Sequence, residues 1–122
     1  MTISEFFGGL GDSLKSLVKV VLQSRRVDMG CLSGKSDTLI ILGNGPSLND
    51  TIASNGDVLK KYPSLAVNFA ANAPQFSELK PDYYLLADPH FFSKRGDANV
   101  DRLLSNLGNI DFPMTLFVPA SV

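Results

Sequence analysis

The residues best suited to chemistry are polar, and they follow short apolar runs. In "TLIILGNGPSLND", Thr38 to Asp50, four apolar residues lead into Gly43, Asn44, Gly45, Pro46 and Ser47. Asn68 and Asn72 follow a second run, "SLAVNF", and Asp88, Pro89 and His90 close a third, "YYLLAD". Two glycines bring a ligand close to bare backbone and give access to positive φ. Ser47 is a good helix N-cap with Asp50 in the capping-box position three residues on. Free N–H groups at such a helix start suit a phosphate. Asn44 offers both donor and acceptor to a base, ribose or phosphate. The same Gly-Asn-Gly-Pro is also simply a competent turn. Asp88 and His90 are weak catalytic candidates, able to serve acid/base work or a metal. A lone histidine is more often structural, and Asp88, at the strand end itself, is the better candidate.

These residues need a scaffold that gathers them. The runs 38–42, 64–69, 83–88 and 114–119 read as strands. Segments of helical or mixed character lie between them at 48–62, 70–79 and 91–107; Val100, Leu103, Leu104 and Leu107 have helical spacing in the last. Alternating strand and helix predicts an α/β, Rossmann-like parallel sheet of about four strands with right-handed crossover helices. Ligands bind outside the carboxyl ends of such strands, where the polar residues collect. Tyr83 and Tyr84 read as packing residues, and Asp97 and Asp101 as solvated charges.

Phe7, Leu10, Leu14, Leu17 and Val21 predict an amphipathic helix over roughly residues 4 to 25, within an N-terminal segment 1–30. Arg25 and Arg26 suit its negative C-terminal end. Residues 31–37 read as a linker and 38–122 as the nucleotide-binding domain. The helix is expected to pack on the domain or join a homo-oligomer, and a non-enzymatic α/β interaction module assembling through it is an alternative to an enzyme. Membrane-surface association through residues 4–25 is the less favoured expectation, because few cations line the polar face. The sequence closes on a fourth strand and its loop, which suggests part of a larger domain or a sheet covered by something else.

Composition sets the bounds. The 122 residues suffice for one small domain. A formal net charge of -1 offers no footprint for nucleic acid. A single cysteine, Cys31, excludes an intrachain disulfide and a Cys-based zinc site. No apolar run is long enough to span a bilayer, and the N-terminus, carrying Glu5 and Asp12, is a poor signal peptide. A cytoplasmic location is expected.

"ILGNGPSL", followed by "AVNFA" and "LLADPHFF", resembles the N-terminal nucleotide-binding half of bacterial sialyltransferases that use CMP-sialic acid. It is also similar to proteins of the 6-hydroxymethylpterin diphosphokinase-like group. The resemblance covers about residues 38 to 92. It implies a glycosyltransferase-like protein of surface-polysaccharide biosynthesis, with no tightly bound cofactor and a CMP-sugar-like donor as substrate. Asn44 and Ser47 would contact the nucleotide, Gly43 and Gly45 would shape the loop, Asn68 would reach the nucleotide from the second strand, and Asp88 would help position the donor from the third. The sialyltransferases carry Asn-Pro where this chain has Asp88-Pro89. Asp lacks the amide donor and adds negative charge beside a phosphate. No metal is expected in the sialyltransferase-like reading. In the diphosphokinase-like reading Asp88 would hold magnesium. Gly-x-Gly-x-x-Gly is not matched, because Leu48 stands at the third glycine position.

Overall fold

The computed structural model describes residues 2–24, 26, 30, 36–93 and 96–120. Cys31, Arg25 and most of the expected linker, 31–35, lie outside the described residues.

The first helix, α1 (Ile3–Gln23), begins with a reciprocal cap. The Thr2 hydroxyl accepts from Glu5 N–H at 3.3 Å, and Thr2 N–H donates to the Glu5 carboxylate at 2.8 Å. Those bonds to Thr2 hold the Glu5 carboxyl below its usual range. The cap starts the helix one residue earlier than expected, and the glycines at 8, 9 and 11 do not interrupt it. It ends where Ser24 turns extended and donates to the Val20 carbonyl, so Arg26 falls beyond the helix and the last turn carries no base. Every α1 residue is exposed.

Four parallel strands form one sheet: β1 (Ile40–Leu42), β2 (Ser64–Val67), β3 (Tyr83–Leu85) and β4 (Thr115–Phe117), in the order β1-β2-β3-β4. The register pairs Ile41 with Leu65, Leu65 with Tyr83, and Tyr83 with Thr115. The crossovers are α2 (Ser47–Lys61), then a 3₁₀ segment (Asn68–Asn72) with the short α3 (Phe76–Leu79), then α4 (His90–Ser93) with α5 (Ala98–Gly108). The α/β expectation thus holds. The strands are shorter than expected; β2 stops at Val67, where Asn68 turns left-handed.

One face of the sheet carries the core. Leu42, Ala66, Tyr84 and Leu86 pack with Ala71, Phe76, Phe91, Val100 and Leu103 from the crossovers. Phe76 meets the Tyr84 ring edge-on at 5.8 Å. Because every crossover steps the same way with the same hand, all the crossover helices fall on this face. The alternate residues Ile41, Leu65, Val67, Tyr83, Leu85, Thr115 and Phe117 point the other way. Ile41 is 66% exposed there.

Candidate functional site at the strand ends

The parallel register sets the loops after β1, β2 and β3 side by side at one edge of the sheet. After β1 the chain passes through Gly43, Asn44 and Gly45 to Pro46, whose φ of -59° and ψ of -29° are already helical. Leu48 N–H closes the turn on the Gly45 carbonyl at 3.1 Å. Ser47 is therefore the first helical residue and not the N-cap, and its side chain makes no cap bond. The proline, fixed near the helical φ, moves the helix start one residue upstream and dissolves the expected capping box. Asp50 stays in the first turn, where a carboxylate complements the helix dipole. Gly43 and Gly45 do not adopt positive φ; among the described glycines only Gly96 does, at 95°. A Cβ on Gly43 would meet nothing within 4 Å, and one on Gly45 only the Ser47 hydroxyl at 3.9 Å. Neither packing nor backbone conformation demands these glycines, and both border open space.

The left-handed conformation expected of the glycines belongs to Asn68, at φ 53° on the end of β2. Asparagine tolerates this region better than most residues, at a cost of order 1 kcal/mol. Tyr84 holds it there. The buried phenol donates to the Asn68 carbonyl and accepts from Ala71 N–H at 2.9 Å. Burial pushes the Tyr84 hydroxyl up to about 12, against the opposing pull of the Ala71 bond. Asn44 joins the same point from β1, its Nδ2 donating to the Val67 carbonyl at 3.0 Å. The first two loops are thus bonded to each other beside Asn68, with both asparagines exposed.

Asn72 has a different task. Its Nδ2 donates to the Asn99 carbonyl, and its Oδ1 accepts from Asn106, which also donates to the Ala71 carbonyl, each at 3.0 Å. These bonds pin the 3₁₀ segment to α5. After β3, the Asp88 carboxylate accepts from His90 N–H at 2.9 Å and its carbonyl accepts from Phe91 N–H. Asp88 and His90 therefore meet through the His90 backbone, in the turn that starts α4. No group of three His, Cys, Asp or Glu gathers here or elsewhere among the described residues. Asp97 is a helix cap and not a free charge: its carboxylate accepts from Asn99 and Val100 N–H.

The site is open. A small cavity of about 40 Å³ reaches it, with Leu42, Asn44, Leu48 and Ala66 in its wall. That is room for about one water and far below the few hundred Å³ of a small-molecule pocket. The sheet order also contains no reversal, so the crevice that opens at a switch point does not form between these strands. Sequence reasoning placed Asn44, Ser47, Asn68 and Asp88 on this edge but missed the Tyr84 hydroxyl, because its partners are main-chain groups 13 and 16 residues away. No protein-family model, curated protein or solved structure matches the chain.

Proposed function

We propose that residues 38–122 form the nucleotide-sugar-binding part of a glycosyltransferase-like protein of surface-polysaccharide biosynthesis. The reaction would move a sugar from a CMP-sugar-like donor to an acceptor hydroxyl. Asn44, Ser47 and the first N–H groups of α2 would meet the donor's phosphate and ribose, and Asn68 would approach its base. The observation that carries this reading is the pinned Asn68. A left-handed, exposed asparagine fastened by a buried tyrosine, with Asn44 bonded next to it, is a costly local arrangement at the carboxyl edge of the sheet. The sequence likeness of Gly43–Ser47 and Asn68 to the sialyltransferase motifs supports the choice of nucleotide.

Asp88 supports a second reading. It puts an exposed carboxylate on the same edge, where the residues Gly43–Ser47 and Asn68 bring no cation. A diphosphokinase-like enzyme would use Asp88 with magnesium to hold the phosphates of ATP. Calorimetric titration with CMP, CDP, UDP and ADP, with and without magnesium, tests both readings. Binding of CMP without metal supports the first. Binding that requires magnesium and is lost in Asp88→Ala supports the second. Silence from all four nucleotides under both conditions removes both.

A further inference from the structure

Among the described residues the crossover helices cover one face of the sheet, and every residue of α1 is exposed. Parallel sheets are stable when both faces are covered. Here the second face presents Ile41, Leu65, Val67, Tyr83, Leu85, Thr115 and Phe117, with no charged side chain among them; Ile41 is exposed, Tyr83 is buried and the others are half-buried. α1 presents ten large apolar side chains, each between 48% and 78% exposed. Its charges, Glu5, Asp12, Lys15 and Lys19, gather within about 80° of the helix circumference at 3.6 residues per turn. The apolar arc opposite spans about 200°, roughly twice what one packed surface requires. Such a helix needs two apolar neighbours.

Its own sequence supplies the first. Ile3, Phe7, Leu10, Leu14, Leu17 and Val21 recur at alternating steps of four and three, a heptad seam that matches a second copy of itself. The flanks of that seam, Phe6 and Val20 on one side and Val18 on the other, remain apolar where a two-stranded coiled coil would carry charges. The uncharged second sheet face, with Ile41 66% exposed, is a surface that suits those flanks. We propose that two copies associate through α1, the helices pairing along the seam while their flanks pack on the uncharged sheet faces around Ile41. The ten apolar residues of α1 alone expose on the order of 1,000 Å² per copy, enough to supply the roughly 800 Å² per partner of a stable interface. α1 carries two acidic and two basic residues, so an anionic lipid surface has no net charge to attract.

Sedimentation equilibrium of the whole 122-residue chain, from about 1 to 100 μM, tests this. The wild type is expected as a dimer. Leu14→Glu in the seam and Ile41→Glu on the sheet face should each weaken dimerisation at least tenfold, with Lys15→Glu on the polar arc as an unchanged control. Far-UV circular dichroism and a cooperative urea transition establish that Ile41→Glu is folded. If it is not, Ile41→Thr keeps the β-branched shape and should still weaken the dimer. A monomer throughout the range, or a Leu14→Glu chain as dimeric as the wild type, overturns the proposal. Folded sheet-face variants that dimerise like the wild type also overturn it. So does monomeric wild type that co-sediments with neutral phosphatidylcholine vesicles, which would give α1 to a lipid surface.

Discussion

Removing the Tyr84 hydroxyl should loosen the candidate site from beneath. In Tyr84→Phe the ring remains, fully buried against Phe76, so no cavity larger than one oxygen opens. What is lost is the donor to the Asn68 carbonyl and the acceptor for Ala71 N–H. Two such bonds, each contributing about 0.5–1.5 kcal/mol net, make the variant less stable by about 2 kcal/mol. Urea unfolding followed by circular dichroism measures this, with the loss read as a lower midpoint at unchanged slope. The pH dependence gives an independent check. The folded-state value of about 12 lies above the ordinary tyrosine value near 10, so the native state holds the proton more tightly than the unfolded chain. The Tyr84 contribution is therefore fully present below pH 10 and is lost as pH rises towards about 12. The gap between wild type and Tyr84→Phe should be constant from pH 7 to 9 and shrink above 10. A variant within 0.5 kcal/mol of wild type at pH 7, or a gap that does not change with pH, refutes the pinning role.

Asn68→Gly removes the cost of left-handed backbone and should keep or raise stability by up to about 1 kcal/mol. Nucleotide affinity should fall at least tenfold, which separates the functional role of the side chain from its backbone role in one calorimetric titration. Asp97→Ala deletes the cap of α5 and should cost about 1 kcal/mol in urea unfolding, more than the near-zero effect expected at the exposed Asp101. Leu103→Ala, at a fully buried position where α5 meets the core, should cost about 2–5 kcal/mol by the same measurement.

The strands and helices were legible because their signals are local. Apolar runs such as 38–42 and the spacing of Val100, Leu103 and Leu107 report burial directly. Ser47 misled because a serine before a helix is a good cap in isolation, whereas Pro46 had already set the helical φ and ψ. The glycines misled in the same way: their freedom is unused, and the strained conformation went to Asn68, where Tyr84 could hold it. Such a bond joins residues 16 apart, and no short-range pattern announces it. The caps by Thr2 and Asp97 did have local signatures, a Thr with Glu three residues on and an Asp directly before a helical run. The placing of all the crossover helices on one face depends on strand order, which spacing does not encode.

The central claim is that a nucleotide binds at the edge formed by Asn44 and Asn68. The side-chain amide signals of the asparagines in a ¹⁵N-labelled sample report it most directly. On titration with CMP, the account predicts saturable shifts of the Asn44 and Asn68 amides, while those of Asn72 and Asn106, bonded to each other behind the edge, stay in place. Shifts confined to Asn72 and Asn106, or none at millimolar CMP, would contradict it.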